Sequence, residues 1–372
     1  MQLKDLTVVG NKKKANDFIK SVAGKNCYFV CVISYTKTCE IPGITVAGAN
    51  TELVKYTPAA DTEFLYYGKC KCVDMVPATP DGKPTPALIT RAALRAADIP
   101  LVVVDAGSKI KPNMPHVSFD LEHGEDIANG RALDIELVKK AFEKGVELGE
   151  KLGKTMEYIV IGESIPAGTT TALGVLLAMG IDAKYKVSSS MPENPHELKL
   201  STVERGMKAS GIQFGSLANK PFAAISYVGD PMIPSVAGIA VGAAKKSVVM
   251  LAGGTQMAAV LSVVNMVDKK ALGRIFVGTT KYILDDKSSN MSYLINAIAD
   301  VPIISCDPHL AQSSKAGLRA YANGFVKEGV GAGGACISAI LKSRFAIDGK
   351  ELLKKIEEEY ERAIEGKSIE PR

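Results

Sequence analysis

Short apolar runs that end in glycine or in a polar residue recur throughout this 372-residue chain, and they constrain its fold more than any other feature. Seven such runs read as buried strands: residues 27–34, 101–107, 158–163, 222–229, 247–254, 275–279 and 302–306. Helix-like stretches lie between several of them: residues 131–152, 169–179 and 234–244. This alternation predicts an α/β fold in which a mostly parallel sheet carries helices on both faces, a Rossmann-like three-layer arrangement.

The two ends of the chain are predicted to form a smaller helical part. Residues 349–365 have the apolar spacing of an amphipathic helix, with charged residues on the opposite side. Such a helix docks either on the body of the protein or on a second subunit. We therefore expect a terminal part of residues 1–26 and 341–372 beside one α/β domain of residues 27–340.

Composition and charge argue against a nucleic-acid partner. Aromatic residues make up 6% of the chain and tryptophan is absent, whereas single-stranded nucleic acids are usually bound by stacking on aromatic side chains. The net charge of +5 comes almost entirely from a lysine-rich stretch within residues 1–26, which is typical of a solvated surface. We expect small-molecule ligands and no nucleic-acid partner.

One uncharged segment, residues 247–267, is long enough to raise the question of a membrane helix. Its centre reads Ala-Gly-Gly-Thr-Gln, which divides the apolar run in two. The first half is rich in β-branched residues and the second half reads as a helix. A strand, a glycine turn and a helix explain the segment better, so no membrane span is expected.

The seven cysteines are expected to be free thiols rather than metal ligands. Cys27 and Cys31 are close in sequence, and Cys70 and Cys72 form a C-x-C pair, but zinc sites usually combine C-x2-C pairs or nearby histidines. The four histidines are scattered and lie away from these cysteines. An odd number of cysteines and a polar N-terminus fit a reducing cytoplasm, and we expect neither a metal nor a cofactor.

Ligands of such sheets bind beyond the carboxyl ends of the strands, and three motifs fall at such places. The first, residues 161–171, brings Glu163 to the end of a strand, and Gly168, Thr169 and Thr170 then open an apolar helix. Backbone N–H groups and hydroxyls at a helix start favour an anion such as phosphate. The alternative is a helix start that threonine caps and that binds no ligand.

The second motif, residues 251–256, is another turn from a strand into a helix, with Gly253 and Gly254 at its centre. Glycine at this position allows a ligand to approach the backbone closely, but a tight turn without a ligand requires it equally. The motif is therefore a candidate binding turn only in combination with the others.

The third motif, residues 327–335, contains G-x-G-x-x-G through Gly329, Gly331 and Gly334. A dinucleotide fingerprint also needs a preceding strand and a following βαβ unit, and too few residues follow for that unit. Glu328 instead lies against flexible, nearly apolar backbone, where poor solvation raises the pKa of a carboxyl toward that of a general base. A surface glutamate beside a glycine-rich turn is the alternative.

In this order the motifs resemble those of the nicotinate-nucleotide:dimethylbenzimidazole phosphoribosyltransferases of cobamide assembly and, more closely, their uncharacterised archaeal relatives. The family's G-E-M-G-I-G-N-T-T element is similar to residues 162–170, and its late G-E-G-x-G-A element is matched by residues 328–332. The resemblance covers roughly residues 100–340. The family's early Gly-Asp-His-Gly region has only residues 33–50 in its place, without the Asp-His pair.

The resemblance implies a pentosyltransferase that moves a phosphoribosyl group from nicotinate mononucleotide to a ring nitrogen of a benzimidazole-like base. It assigns the general base to Glu328 and places Glu163 beside the ribosyl centre. Phosphate and ribose would contact the glycine-rich turns: Gly168, Thr169, Thr170, Gly253, Gly254, Gly329 and Gly331. The resemblance also suggests a homodimer. Two alternatives stay open: transfer to another azole or purine base, and a non-catalytic protein that binds a nucleotide or a cobamide precursor on the same scaffold.

Overall fold

A single eight-stranded sheet forms the centre of the computed structural model, which describes residues 5–48, 50–79 and 81–367. The strands are β1 (Leu6–Val9), β2 (Cys27–Ile33), β3 (Leu101–Asp105), β4 (Val117–Ser118), β5 (Tyr158–Ser164), β6 (Val248–Ala252), β7 (Ile275–Thr280) and β8 (Ile303–Cys306). Their order is β1-β8-β7-β6-β5-β2-β3-β4. The neighbouring strands are parallel except at one edge, where β1 pairs with β8 in antiparallel fashion.

Helices connect the parallel strands and cover the sheet. Within the described residues they are α1 (Lys12–Val22), α2 (Thr57–Tyr67), α3 (Ala87–Ala96), α4 (Ile135–Gly153), α5 (Gly168–Ala178), α6 (His196–Ala209), α7 (Pro221–Val228), α8 (Met232–Ala244), α9 (Gln256–Val267), α10 (Lys281–Leu284), α11 (Met291–Ile298), α12 (Ala316–Arg319), α13 (Ala332–Lys342) and α14 (Gly349–Ala363). Short 3₁₀ turns are Lys37–Glu40, Val54–Tyr56, Ile127–Asn129, Lys269–Arg274, Leu310–Gln312 and Ala320–Asn323.

The period-two alternation of the central strands divides the apolar residues between two cores. In β5, Ile159 and Ile161 face the core that is built largely with α4, α5, α8 and α9. Tyr158 and Val160 face the opposite core, where α3, α13 and α14 pack. Because both faces of the sheet are buried, the inner strands read as continuous apolar runs rather than as alternating ones. The predicted α/β class, with helices on both faces of a mostly parallel sheet, is confirmed.

One predicted strand is wrong. Residues 222–228 lie in α7 (Pro221–Val228) and Gly229 caps its end, and this helix packs against α4 and α5 instead of pairing in the sheet. A short apolar run has the same composition in a buried strand as in a buried helix, so periodicity alone does not separate them. Pro221 at the first helical turn was the available signal, because proline is favoured there and lacks the N–H that a strand ladder needs.

The terminal helices dock on the face of the sheet that carries α3 and α13. Phe18 of α1 stacks on Phe276 of β7, with ring centroids 3.8 Å apart. Glu359 of α14 accepts a bond of 2.7 Å from Arg91 of α3, and both side chains are buried. The terminal residues also supply β1, which the sequence did not predict. The division into a terminal part and a central domain stays a prediction, and residues 1–4 and 368–372 of that terminal part lie outside the described residues.

The segment 247–267 folds as predicted into a strand, a turn and a helix, β6 and α9. In the described part of the chain, no helix has both the length and the apolar character that crossing a membrane requires. The seven cysteines are all free thiols, and five of them are buried.

Candidate functional site

A cavity of about 150 Å³ opens beyond the carboxyl end of β5, between the starts of α5 and α9. Three further segments close it: residues 44–48, residues 77–79 together with 83–86, and the loop that leads into α13. This position follows from the topology, because the carboxyl ends of the parallel strands meet at one edge of the sheet and the following helices begin there. The cavity thus joins segments that are more than 280 residues apart in the sequence.

Glu163 enters the cavity from the carboxyl end of β5 and is 2% exposed. Its Oε1 atom accepts a hydrogen bond from Gln256 Nε2, and its Oε2 atom accepts one of 3.0 Å from the backbone N–H of Ile165. Burial raises the pKa of Glu163 to about 8, because the charged form loses its hydration. The bond from Gln256 opposes this rise, whereas the negative charge of Asp230 adds to it.

Glu328 reaches the same cavity from the loop before α13. Its carboxylate accepts bonds from three backbone N–H groups: Thr280 at 2.8 Å, Gly329 at 3.2 Å and Gly333 at 3.2 Å. Burial raises the pKa of Glu328 to about 7, and these backbone donors hold it below the value it would otherwise reach. Since Gly333 lies in the first turn of α13, the carboxylate also occupies the position where a helix N-terminus would bind an external anion.

The backbone around Glu328 is strained. Val326, Lys327 and Val330 have φ angles of +58°, +62° and +52°, in the left-handed region. A branched residue such as valine is a genuine outlier there, and each such residue costs about 1–3 kcal/mol. Such strain persists only where the surrounding structure holds it, and it is concentrated at functional sites.

Two buried lysines lie behind the cavity wall. Lys327 Nζ is 2.9 Å from Asp286 Oδ2, and both side chains are almost fully buried. Lys199 Nζ donates to the carbonyl of Ser188 at 2.6 Å and to Asn194 Oδ1 at 3.0 Å. Burial lowers the pKa of Lys199 to about 7, and the nearby positive charge of Lys327 contributes to that lowering. These lysines fix the loop of Glu328 and the serine segment 188–190, which lines the cavity.

Two helix N-termini open onto the cavity. Gly168 and Thr169 line it at the start of α5, and Gly254 and Gln256 line it at the start of α9. The first N–H groups of a helix have no partner within the helix, and the helix dipole places partial positive charge there. This end of the cavity suits an anionic group such as a phosphate.

Six of the nine residues singled out in the sequence line the cavity: Glu163, Gly168, Thr169, Gly254, Glu328 and Gly329. The other three lie beside it. Thr170 is buried within α5, and the backbone of Gly253 lies against Met257. Gly331 lies against β5, where an added Cβ would be 3.0 Å from Gly162 Cα. Glycine at 331 is therefore required by the contact of two protein backbones.

Several lining residues with polar side chains lie outside the three motifs: Asp61, Thr85, Ser188 and Ser189. Ser164 and Gln256 also line the cavity and lie within the first and second motifs, which did not single them out. Asp61 lies on α2, about 100 residues before Glu163, and that helix carries a second carboxylate at Glu63, so nothing in the sequence marked Asp61 for the cavity. Ser188 and Ser189 belong to a run of three serines, which the sequence offered as a cluster of hydroxyls without a predicted place.

This arrangement combines an end suited to an anion with two carboxyl groups whose pKa values lie near neutrality. Carboxyl groups of that kind exchange protons efficiently at neutral pH, and a buried carboxylate also stabilises a developing positive charge. Among residues 5–48, 50–79 and 81–367, no three His, Cys, Asp or Glu side chains are grouped so that they could hold a metal ion.

The chain is similar over nearly its whole length to known archaeal proteins. It is 48% identical over 336 residues to a UPF0284 protein of Archaeoglobus fulgidus, and the match covers 90% of this chain and 94% of the relative. It is 43% identical over 331 residues to a UPF0284 protein of Methanothermobacter thermautotrophicus, covering 88% of this chain and 91% of the relative.

Solved structures share the fold at low sequence identity. A nicotinate-nucleotide-dimethylbenzimidazole phosphoribosyltransferase from Thermus thermophilus superposes with a TM-score of 0.60 and 14% identity, covering 96% of this chain and 93% of that chain. CobT from the same organism gives a TM-score of 0.58 and 13% identity, covering 94% and 92%. A family model described as phosphoribosyltransferase matches residues 86–282, which include Glu163 and end before Glu328. The chain therefore belongs to the phosphoribosyltransferase family, as its motifs predicted.

Proposed function

We propose that this protein transfers the phosphoribosyl group of nicotinate mononucleotide to a ring nitrogen of a benzimidazole-like base. The observation that carries the proposal is the pair Glu163 and Glu328, two carboxyl groups of raised pKa that line one cavity beside two helix N-termini. The family of the chain supplies the reaction class. The residues of the cavity support the assignment of the donor, the acceptor and the proton balance.

The donor would bind with its phosphate at the starts of α5 and α9. Gly168, Thr169 and Gly254 line the cavity there, and backbone N–H groups bind phosphate oxygens without a cationic side chain. The start of α13 is less suitable for the phosphate, because the carboxylate of Glu328 already accepts the N–H of Gly333. This assignment puts the phosphate near the serine segment 188–190, whose hydroxyls can donate to it.

The donor needs little activation, because its pyridinium ring is already a cationic leaving group. The bond from C1′ to the pyridinium nitrogen breaks, and its electron pair stays on the departing nicotinate. A bond forms from the attacking ring nitrogen of the acceptor to C1′. Attack by a neutral azole leaves a proton on its second nitrogen, and the carboxylate of Glu328 takes that proton.

Glu163 would act on the ribosyl centre. Positive charge develops at C1′ in a transition state of this kind, and a nearby carboxylate stabilises it in a site that excludes water. With a pKa of about 8, Glu163 holds its proton at neutral pH before the donor binds. The cationic pyridinium ring of the donor, placed beside Glu163, favours the charged form, so binding of the donor shifts Glu163 toward the carboxylate.

The decisive experiment measures nicotinate release from nicotinate mononucleotide with a panel of azole and purine bases, for the wild type and for Glu328→Gln. We expect the substitution to lower the rate by about 10²- to 10⁴-fold, the usual contribution of a general base. Calorimetry with nicotinate mononucleotide alone should show that this variant still binds the donor. Glu357→Gln is the matched control, because Glu357 lies on α14 and accepts bonds only from Ser313 and Ser314 among the bonds found for it.

The outcomes separate the open alternatives. Unchanged turnover in Glu328→Gln would overturn the assigned mechanism. Donor binding without nicotinate release, for every base and in the wild type, would indicate a non-catalytic binding protein. Release with purines alone would keep the reaction and change the acceptor. A cytoplasmic location and a homodimer stay predictions, and sedimentation of the purified protein tests the latter.

A further inference from the structure

The end of the cavity that faces α2 differs from the end at the helix N-termini. Asp61 of α2 lines it and is 2% exposed. Its Oδ1 atom accepts a bond of 2.7 Å from Thr85 Oγ1, and its Oδ2 atom accepts one of 2.7 Å from Ser164 Oγ. Two hydroxyl donors leave further lone pairs on the carboxylate, which has about four acceptor positions in all.

A second polar atom accompanies Asp61. Thr57 lies one helical turn earlier on α2, so positions 57 and 61 share one face of the helix, and both residues line the cavity. Thr57 Oγ1 is buried and has no hydrogen-bond partner among the described residues. A buried hydroxyl without a partner is costly, and a ligand that supplies the partner removes that cost.

The rest of this end is largely apolar, apart from Thr79 and Lys83, and the ammonium of Lys83 is paired with Asp81. Pro77, Ala78 and Pro86 line the cavity here. A small adjoining pocket, which shares Thr57, Pro77 and Ala78 with the cavity, is lined further by apolar or aromatic side chains: Leu53, Tyr56, Val73 and Met75. Flat aromatic ligands bind to apolar walls that carry a few precisely placed polar groups. The α2 end therefore suits an uncharged heterocycle, whereas the carboxylate of Asp61 disfavours a phosphate.

This end also lies within reach of Glu328. An added Cβ on Gly329 would be 2.9 Å from Pro86 Cγ, so the residue after Glu328 contacts the residue after Thr85. Thr90 Oγ1 donates to the carbonyl of Val330 at 2.9 Å and ties the same loop to α3. A base held at Asp61 is thus a neighbour of the group that accepts its proton.

We propose that the α2 end binds the acceptor base and that Asp61, with Thr57, selects bases carrying an exocyclic N–H or O–H donor over bases with bare or methylated ring edges. The inference rests on the proposed phosphoribosyl transfer and names its acceptor more closely. An amino or hydroxyl group on the ring donates to the carboxylate of Asp61, and the hydroxyl of Thr57 pairs with an adjacent acceptor. A methylated edge leaves the hydroxyl of Thr57 unpaired and gives the remaining lone pairs of Asp61 no donor, which costs binding.

The charge state of Asp61 agrees with this role. Burial raises the pKa of Asp61 to about 6, and the bonds from Thr85 and Ser164 hold it from rising further. The group is therefore mainly ionised at neutral pH and accepts hydrogen bonds. Bonds to charged acceptors are about twice as strong as bonds between neutral groups, which makes Asp61 the main determinant and Thr57 the lesser one.

Matched pairs of bases test the inference. Nicotinate release is measured at neutral pH with adenine against purine, and with 5-hydroxybenzimidazole against 5,6-dimethylbenzimidazole. We expect kcat/KM to favour the member with the donor by about 10- to 100-fold in the wild type. In Asp61→Asn and in Thr57→Val the ratio within a pair should fall, more in the former. The two pairs show whether an amine or a hydroxyl is the better donor.

The outcomes are distinct. If the wild type releases no nicotinate with any base, the proposed function fails and the inference fails with it. If the wild type uses purine and 5,6-dimethylbenzimidazole as well as their partners, only the inference fails. Ratios that stay unchanged in both variants also overturn it. Thr57→Val keeps the test valid should Asp61→Asn not fold, because its hydroxyl is free of bonds to the described residues.

Discussion

Glu163 lies at the end of a regular, fully buried strand, whereas Glu328 lies in a loop with a strained backbone. The register of the sheet brings Glu163 into the cavity, without left-handed φ angles and without an ion pair. The loop of Glu328 relies on Lys327, whose pair with Asp286 lies almost entirely out of solvent. Glu163 thus shares the stability of the sheet, whereas the position of Glu328 depends on the local ion pair of Lys327 with Asp286.

The two carboxyl groups also differ in how many donors face them. Glu163 accepts a bond from Gln256 and one from a backbone N–H, whereas Glu328 accepts bonds from three backbone N–H groups. Burial raises both pKa values, to about 7 for Glu328, where three backbone donors oppose the rise, and to about 8 for Glu163, where the negative charge of Asp230 adds to it. Glu328 is accordingly the more readily ionised group and the better base at neutral pH.

Among the substitutions that test this comparison, Lys327→Met should have the largest effect on the unfolding free energy. The variant keeps much of the side-chain volume but leaves Asp286 buried without its cation, which typically costs about 3–5 kcal/mol of unfolding free energy. Urea unfolding measures the loss. Lys281→Met is the control, since its pair with Asp307 is half-exposed and should contribute less than about 1 kcal/mol. Equal losses of unfolding free energy in the two variants would show that the ion pair of Lys327 with Asp286 does not hold the loop of Glu328.

Gly331→Ala should have the next largest effect on the unfolding free energy, because Gly331 lies where the loop of Glu328 contacts β5. At a φ of +64° an alanine is strained, and its Cβ would lie 2.8 Å from Phe29 Cζ and 3.0 Å from Gly162 Cα. Strain and overpacking together should lower the unfolding free energy by about 2–3 kcal/mol. Gly273→Ala is the control, since nothing lies within 4 Å of its added Cβ.

The double variant Gly162→Ala, Gly331→Ala tests whether β5 and the loop of Glu328 depend on each other. The two added Cβ atoms would compete for the same space beside Phe29, so their effects on unfolding free energy should not add. If the effects of the two single substitutions add to within about 0.5 kcal/mol, β5 and the loop of Glu328 do not depend on each other.

The difference between the strand that carries Glu163 and the loop that carries Glu328 also explains which parts of the site could be predicted from the sequence. Glu163 follows an apolar run, so its place at the sheet edge follows from strand periodicity and parallel topology. Asp61 could not be found this way, because only the packing of α2 brings it beside Ser164. Gly331 was assigned to the ligand because glycine signals close approach without saying what approaches, and here it is the backbone of Gly162.

The pH dependence of stability should distinguish the two carboxyl groups. Each binds its proton more tightly in the folded state than in the unfolded chain, where the pKa is about 4.5. Their protonated forms therefore stabilise the fold at low pH, and this contribution is lost as pH rises through about 7 for Glu328 and about 8 for Glu163. Each group contributes a slope of at most about 1.4 kcal/mol per pH unit in that window.

Urea unfolding at half-unit intervals from about pH 5 to about pH 9 measures these slopes. Glu328→Gln should flatten the curve mainly up to about pH 7, and Glu163→Gln should flatten it up to about pH 8. The stability of Glu357→Gln should keep the wild-type slope across this range, since the pKa of Glu357 lies below its usual value. Curves that coincide for the two cavity variants would contradict the ordering of their pKa values.

The smallest effect should come from Gln256→Leu, which removes one donor from Glu163 and leaves the N–H of Ile165. The carboxylate loses stabilisation while the protonated form does not, so the pKa of Glu163 should rise by about one unit. The pH at which transfer reaches half its maximum should move upward, while Glu328 keeps its own donors. Gln312→Leu is the control, because its amide contacts only the partly exposed ring of His309 among the bonds found for it. An unshifted pH profile would mean that ionisation of Glu163 does not limit the reaction, and its role would then be to orient the donor.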